Sequence, residues 1–263
     1  MDEIDCSRPH PGVVLLTLNR PERLNALTFA MFDRCAELCA ELESDDSVRA
    51  VIVTGAGRGF CSGLDLDLVD RLTGMTAAEM LAGQRRWAAG IVAFRRLSVP
   101  VIAAVNGPAS GAGMALALAA DIRVAAPTAR FNAAFVRVGL TGGDVGISWM
   151  LPRLVGLGHA SDILLTGRMV DAAEAARIGL VSEVVDPHDL LDAAFARAEQ
   201  ITANSPFGMR MTKEILQTNV DAPSLQAAVE LENRSQVLAT RTADMAEALA
   251  AFREKRAPVW TGR

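Results

Sequence analysis

Two kinds of apolar spacing alternate along the chain, and they predict its elements. Short runs rich in Val, Ile, Leu and Ala are typical of strands. The predicted strands are 13–18, 50–54, 101–105, 122–125 and 181–185. Between them, apolar residues recur every three or four positions behind a Thr or Asp cap, which is typical of helices. These helices are 28–42, 76–95 and one that opens at Asp171. Strands alternating with helices predict an α/β fold with mainly parallel strands.

The strand pattern ends near Pro187, and only helical spacing follows. The predicted helices there are 189–203, 206–217, 224–239 and 243–253. Their apolar stripes carry more surface than one core can absorb, so we expect them to dock onto another subunit. The change of element type places a soft boundary near residues 187–205. It predicts an α/β core at 1–195 and a helical oligomerisation region at 196–263.

Composition and charge exclude several classes of function. The chain has 263 residues, is 51% hydrophobic and carries a formal net charge of −5. Its mean hydropathy is +0.24. No block of Lys or Arg is present, so nucleic acid is not an expected partner. Residues 98–120 are free of charge, but Pro100, Gly107 and Pro108 interrupt them. We therefore predict a buried strand and a buried helix there rather than a membrane span.

The cysteines and the amino terminus indicate the compartment. Cys6, Cys35, Cys39 and Cys61 show neither paired metal-ligand spacing nor the density of a disulfide framework. Cys35 and Cys39 lie four residues apart on one predicted helix face, where small apolar packing is the common explanation. The first ten residues are acidic and lack the apolar stretch of a secretory signal. We expect reduced thiols and a cytoplasmic protein without a metal site.

Two glycine-containing loops follow consecutive predicted strands and carry the candidate chemistry. They read TGAGRGFCSGLDLDL at 54–68 and NGPASGAGMALAL at 106–118. Loops at the carboxyl ends of parallel strands share one edge of the sheet, so the two can converge on a single site. The first lacks the full dinucleotide-binding spacing, and Ser62 is misplaced for a nucleophile elbow. Histidine occurs only three times and never beside these loops, which disfavours a serine triad or a histidine-rich metal site.

Taken in order, six segments resemble the crotonase, or enoyl-CoA hydratase/isomerase, superfamily. They are LTLNRPERLNAL, AVIVTGAGRGFCSGLDL, VPVIAAVNGPASGAGMALALAADIRVAAPTARF, LPRLVGLGHASDILLTGR, AARIGLVSEVV and AFREKRAPVW. The resemblance implies a crotonase-like spiral of ββα units with a helical carboxyl-terminal trimerisation region. It also implies a homotrimer or hexamer, an acyl-CoA thioester as the ligand, and no cofactor beyond the coenzyme A moiety of the substrate.

The resemblance also assigns site residues. The family grips the thioester oxygen with two backbone N–H groups, an oxyanion hole, and these positions match Leu64 and Ala112. Two donors at a helix start suit the charge that builds on a thioester carbonyl during enolate formation. The coenzyme A contacts match a further group of positions: Arg23, Ala26 and Leu66, with Phe252 and Lys255 reaching the nucleotide of a neighbouring subunit. For Arg23 and Lys255, a solvated surface cation is the open alternative.

The chain departs from the family where hydratases carry two catalytic glutamates. Ala115 and Phe135 occupy those positions, and neither can move a proton. The nearest replacement is Asp144, which matches an active-site Asp of some members apart from a one-residue offset. Its alternative role is the N-cap of a helix at 145–154. Asp65 and Asp67 follow the first donor, where loop carboxylates are commonly solvated or capping.

These residues predict an acyl-CoA enzyme of the enoyl-CoA hydratase/isomerase type that acts through an enolate-like intermediate, in fatty-acid or related acyl-CoA metabolism. Leu64 and Ala112 are the expected oxyanion donors, and Asp144 is the candidate for proton transfer. The alternative is a non-catalytic acyl-CoA-binding member, because both family glutamates are missing. The two hypotheses differ in whether any thioester is turned over.

Overall fold

The computed structural model describes residues 2–262. Met1 and Arg263, the ends of the predicted two-part division, lie outside the described residues. The strands are β1 (Ile4–His10), β2 (Val13–Leu18), β3 (Ala50–Gly55), β4 (Val101–Val105), β5 (Pro108–Ser110), β6 (Ile122–Ala125), β7 (Arg130–Asn132), β8 (Val170–Asp171) and β9 (Glu183–Val184). The helices are α1 (Phe29–Glu43), α2 (Val69–Thr73), α3 (Ala77–Arg96), α4 (Ala112–Ala119), α5 (Ile147–Thr166), α6 (Ala172–Arg177), α7 (Leu190–Thr202), α8 (Pro206–Asn219), α9 (Leu225–Ala239) and α10 (Ala243–Glu254).

Two sheets organise these elements. The larger has the strand order β1-β2-β3-β4-β6-β9, and only its first pair is antiparallel. The smaller has the order β5-β7-β8 and lies beyond the carboxyl end of β4. Every residue of β3 and β4 is buried, as expected for parallel strands covered on both faces. The predicted α/β fold with a mainly parallel sheet is confirmed.

Helices cover both faces of the larger sheet. On one face α1, α3 and α4 share a core with β3 and β4, centred on Phe32, Ile91 and Phe94. On the other face α7 buries Leu190, Ala194 and Ala198 against the sheet. The predicted boundary at residue 195 falls inside α7, whose first half and second half both touch the sheet. The two-part division stays a prediction.

Most predicted elements agree with the structure in position and cap. Thr28 caps α1 by accepting from the Met31 N–H, and Thr76 forms a capping box with Glu79 at the start of α3. Residues 98–120 contain the predicted buried strand, β4, and the predicted buried helix, α4, with the unpredicted short strand β5 between them. No helix within residues 2–262 is long and apolar enough to cross a membrane. The short strands β5, β7 and β8 and the edge strand β1 lie outside the predicted set.

The last three helices leave large apolar side chains in solvent. The exposed fractions are 82% for Leu225, 84% for Phe252 and 64% for Leu216. Burying such surface against a second copy would be favourable. The homo-oligomer nevertheless remains a prediction, because the structure contains one chain.

Candidate active site

The first glycine loop presents the Leu64 N–H between two anchored neighbours. The Leu27 N–H donates to the Gly63 carbonyl at 2.7 Å, and the Asp65 N–H donates to the Leu27 carbonyl at 3.0 Å. Gly63 has a φ of +95°, a conformation that glycine adopts without a Cβ penalty. Among the hydrogen bonds of residues 2–262, the Leu64 N–H donates to no acceptor.

The second glycine loop ends at the start of α4. The Gly111 N–H donates to the Asn132 carbonyl at 2.9 Å, and the Gly111 carbonyl accepts the Ala115 N–H at 3.0 Å. No side chain caps this helix start, so its first N–H groups stay available, as helix geometry requires. Within the described chain, the Ala112 N–H has no acceptor. It is the second donor predicted from the sequence.

The two loops lie backbone against backbone. The Ser110 N–H donates to the Cys61 carbonyl at 2.9 Å. A Cβ added to Gly63 would lie 2.7 Å from the Ser110 oxygen and 3.5 Å from the Ala112 nitrogen. A Cβ added to Gly113 would lie only 2.0 Å from the Cys61 oxygen. The glycines therefore permit the close approach that places the Leu64 and Ala112 loops side by side.

The helix that begins at the second donor, α4, is apolar and carries no ionised side chain. All eight residues of α4 are buried, and none is charged. Burial raises the pKa of the Cys61 thiol to about 12, so it stays neutral at ordinary pH. A helix start with free N–H groups carries a partial positive charge, and a low dielectric strengthens its attraction for an anion. The arrangement can stabilise negative charge on an oxygen.

Two apolar residues stand where hydratases of the resembled family keep glutamates. Ala115 is fully buried within α4. Phe135, in a 3-10 helix over Ala134–Val138, packs against the second loop, because a Cβ added to Gly111 would lie 3.6 Å from the Phe135 ring. The side chains of Ala115 and Phe135 therefore fill space and exclude water, and they provide no proton donor or acceptor.

Asp144 lies half-buried in the loop between that 3-10 helix and α5. Its Oδ1 accepts the Val145 N–H at 2.8 Å and the Gln84 Nε2–H of α3 at 3.4 Å. The alternative role of Asp144 as a helix N-cap is wrong: α5 begins at Ile147 behind Gly146, with no side-chain cap. The predicted helix at 145–154 starts two residues too early, but its end agrees with the first segment of α5, which stops at the non-helical Gly156 before a second helical segment continues to Thr166.

The predicted coenzyme A contacts differ in exposure. Arg23 is exposed and forms an ion pair with the exposed Asp67. Ala26 is buried, and its carbonyl accepts the Arg20 Nη1–H at 2.6 Å. Leu66 is 75% exposed in the 3-10 helix over Leu66–Leu68. Phe252 and Lys255 project into solvent at the end of α10. Nothing in the single chain tests their contact with a nucleotide.

Other polar residues near the loops have structural roles. Asp65 caps the 3-10 helix at its Asp67 N–H and forms an ion pair with Arg20 at 2.8 Å. Asp121 accepts the Val101 N–H at 2.8 Å and pairs with the buried Lys213 at 2.7 Å. No group of three or more His, Cys, Asp or Glu side chains able to hold a metal ion occurs in residues 2–262.

Sequence reasoning overlooked Arg20 and Gln84. Arg20 lies three residues before Arg23 in the segment NRPER, but only Arg23 matches a coenzyme A position of the family. The signal available was complementarity: Arg20 and Arg23 in one segment pair with Asp65 and Asp67 in the other. Gln84 lies 60 residues from Asp144, and no local pattern links such distant positions.

The comparisons with known proteins place this geometry in a family. A family model described as enoyl-CoA hydratase/isomerase matches residues 8–263. A relative from Mycobacterium tuberculosis, named "Probable enoyl-CoA hydratase EchA12", is 46% identical over 260 residues, covering 96% of this chain and 90% of that protein. A relative from Escherichia coli K12, named 1,2-epoxyphenylacetyl-CoA isomerase, is 39% identical over 266 residues and covers 100% of both.

Solved structures agree with the sequence comparisons. The crystal structure of an enoyl-CoA hydratase from Bacillus anthracis has a TM-score of 0.93 and 33% identity, and it covers 100% of both chains. The resemblance to the crotonase superfamily, and the crotonase-like fold that it implies, are thereby confirmed. The chain belongs to the enoyl-CoA hydratase/isomerase family.

Proposed function

We propose that this protein isomerises an acyl-CoA thioester through an enolate-like intermediate, with the Leu64 and Ala112 N–H groups as the oxyanion hole. The observation that carries the proposal is the pair of adjacent N–H groups that have no acceptor within residues 2–262. Charge on the thioester oxygen grows as a proton leaves the neighbouring carbon. A fixed donor aimed at that oxygen contributes about 2.7–4 kcal/mol to lowering the barrier.

The proposal assigns proton transfer to Asp144. An isomerisation needs one base that takes a proton from one carbon and returns it to another, so a single carboxylate suffices. Hydration by the two-glutamate route needs a second carboxylate, and Ala115 and Phe135 cannot supply it. The Escherichia coli relative is named as an isomerase of an epoxidised phenylacetyl-CoA, which supports an isomerase reaction. The hydratase names of the other relatives keep hydration as the second candidate.

Coenzyme A recognition is part of the same proposal. Arg23 would exchange its Asp67 partner for a phosphate group, and the backbone at Ala26 and Leu66 would surround the adenine. Phe252 and Lys255 would reach the nucleotide of a neighbouring subunit in a homotrimer or hexamer. The exposed apolar surface of α8–α10 supports such an assembly. A cytoplasmic setting in fatty-acid or related acyl-CoA metabolism completes the proposal.

Turnover of a panel of enoyl-, dienoyl- and arylacetyl-CoA thioesters tests it. We expect isomerisation of at least one member, and a loss of about 10²- to 10⁴-fold in kcat for Asp144→Asn. Asp192→Asn is the matched control, because Asp192 is an exposed carboxylate in the first turn of α7. Equal activity of Asp144→Asn and wild type would remove Asp144 from the mechanism. Tight binding without turnover of any thioester would favour the non-catalytic alternative.

A further inference from the structure

Arg20 follows β2 and connects three separate parts of the chain through one guanidinium group. Its side chain is only 16% exposed. Nε lies 3.2 Å from Glu3 Oε1, Nη2 lies 2.8 Å from Asp65 Oδ2, and Nη1 donates to the Ala26 carbonyl at 2.6 Å. The planar guanidinium fork holds several acceptors in fixed relative positions, which a lysine ammonium cannot reproduce.

Two of these contacts flank the proposed oxyanion donor. Asp65 is the residue after Leu64, and Leu27 next to Ala26 brackets Leu64 through its hydrogen bonds to Gly63 and Asp65. Arg20 therefore links Asp65 on one side of Leu64 to the Ala26–Leu27 backbone on the other. A displacement of Asp65 relative to Ala26 would turn the intervening Leu64 N–H away from its neighbour at Ala112.

The segment that Arg20 holds is under backbone strain. Leu24 and Asn25 have φ values of +50° and +56°, and such non-glycine residues persist only where their surroundings hold them. The backbone of Arg20 also grips Asn25: the Arg20 N–H donates to Asn25 Oδ1 at 2.9 Å, and the Asn25 N–H donates to the Arg20 carbonyl at 2.9 Å. The main chain and side chain of Arg20 thus fix the same turn.

We propose that Arg20 is a positioning residue for the reaction: its guanidinium, held between Asp65 and the Ala26 carbonyl, sets the direction of the Leu64 N–H. The proposal rests on the proposed function, because it needs Leu64 as an oxyanion donor. If the ion pair only stabilised the fold, its removal would lower the free energy of unfolding but leave the stretching frequency of a bound thioester carbonyl unchanged. The two roles therefore differ in a spectroscopic signal.

The test uses Arg20→Lys and Asp65→Asn, with Arg168→Lys as the matched control. Arg168 also binds two carboxylates, Asp162 and Glu174, in the segment between α5 and α6. The probe is a non-reactive acyl-CoA thioester whose carbonyl stretch is recorded by infrared difference spectroscopy. Two donors lower the stretching frequency of the bound carbonyl in wild type, and kcat and KM are measured on the best substrate of the panel.

We expect Arg20→Lys and Asp65→Asn to return the bound carbonyl frequency toward its value in water and to lower kcat by about ten- to a hundredfold. KM should change less than kcat, and Arg168→Lys should lower only the melting temperature. Wild-type frequency and kcat in either Arg20→Lys or Asp65→Asn would overturn the Arg20 proposal while leaving the oxyanion hole standing. An unshifted carbonyl in wild type would overturn both.

Discussion

Two regions of the candidate site differ in how closely they pack. The donor loops, residues 60–65 and 108–113, touch each other through their backbones. The carboxylate loop, residues 139–146, contains Asp144 and is packed less closely. In the donor loops, added Cβ atoms at Gly63 and Gly113 would meet backbone oxygens at 2.7 and 2.0 Å. In the carboxylate loop, a Cβ added to Gly142 would lie 3.0 Å from the Leu164 oxygen, and one added to Gly139 would meet nothing within 4 Å. The main chain holds the two proposed oxyanion donors in place, whereas the proposed proton-transfer group, Asp144, lies on a loop, the kind of element that varies most among related proteins.

This difference explains how one fold can serve several reactions. In the proposed mechanism the donor loops would stabilise the same charge in every thioester enolate, and their close packing suits such a constant task. We expect the choice of proton acceptor to depend on positions 115, 135 and 144, where this chain has Ala, Phe and Asp. Val145, next to Asp144, has a φ of +41°, an unusual conformation for a β-branched residue. Strain of this kind concentrates at functional sites.

The largest predicted effect comes from closing the space between the donor loops. Gly113→Ala would place a methyl group 2.0 Å from the Cys61 oxygen. We expect the free energy of unfolding to fall by about 3 kcal/mol or more and kcat/KM to fall by about 10²-fold or more. Gly158→Ala is the control, because nothing lies within 4 Å of its Cβ. Urea unfolding measures the loss of stability, and steady-state kinetics measure the loss of kcat/KM. Equal free energies of unfolding for Gly113→Ala and Gly158→Ala would contradict the close packing of the donor loops.

Replacing Gly63 and Gly139 by Ala compares the donor loops with the carboxylate loop at two positions of similar backbone strain. Gly63 and Gly139 have φ values of +95° and +81°, so replacement by Ala costs about 1 kcal/mol of conformational energy at either. Only Gly63→Ala also forces the Ser110 carbonyl away. We expect Gly63→Ala to lose at least about 1 kcal/mol more and most of its activity. Thermal unfolding and activity that are alike in the two variants would remove the distinction.

Hydrogen exchange should separate the two regions without any substitution. The Ser110 and Gly111 N–H groups of the donor loops are hydrogen-bonded, whereas no hydrogen bond involves the N–H groups of Thr141, Gly142 and Gly143 among the described residues. Exchange follows the local opening free energy, which is small for unbonded loops. We expect the carboxylate loop to exchange at least about 10²-fold faster. Mass spectrometry of peptides from the two regions measures it, and equal protection would argue against this contrast.

The smallest predicted effect is a pH dependence of stability from Cys61. Burial raises the pKa of the thiol from 9.0 to about 12 in the folded state. The unfolded state therefore releases its proton first, and Cys61 lowers the free energy of unfolding as pH rises from about 9 toward 12. Cys61→Ala should flatten part of this slope, whereas Cys6→Ala, at an exposed thiol, should not. Urea titrations at about pH 8 and about pH 10.5 measure the change in the free energy of unfolding. An identical change in wild type and Cys61→Ala would contradict the exclusion of water from the donor loops.

Much of the fold could be predicted because its signals are local. A few consecutive residues are enough to identify the buried apolar runs of β2, β3, β4 and β6. The same holds for the helix caps Thr28 and Thr76. The strands β5, β7 and β8 have two or three residues each, which is too short for a periodicity. They form because partners distant in the chain supply their hydrogen bonds.

The candidate site divides in the same way. Glycine loops after two neighbouring strands predicted where the donors would meet, because parallel strands place their carboxyl ends at one edge. The wrong N-cap assignment of Asp144 arose because sequence favours Asp as a cap, whereas tertiary packing starts α5 at Ile147 behind Gly146. The ion pair of Arg20 with Asp65 joins residues 45 positions apart, which are brought together by contacts between their segments such as the Leu27–Leu64 bridge and the bond from the Ser62 N–H to the Leu24 carbonyl.

A crystal structure with a bound non-reactive acyl-CoA thioester tests the central claim most directly. We expect the thioester oxygen to lie about 2.7–3.1 Å from both the Leu64 and the Ala112 nitrogens, with the Asp144 carboxylate facing the carbon next to the carbonyl. A thioester oxygen beyond hydrogen-bond distance of either nitrogen would contradict the account.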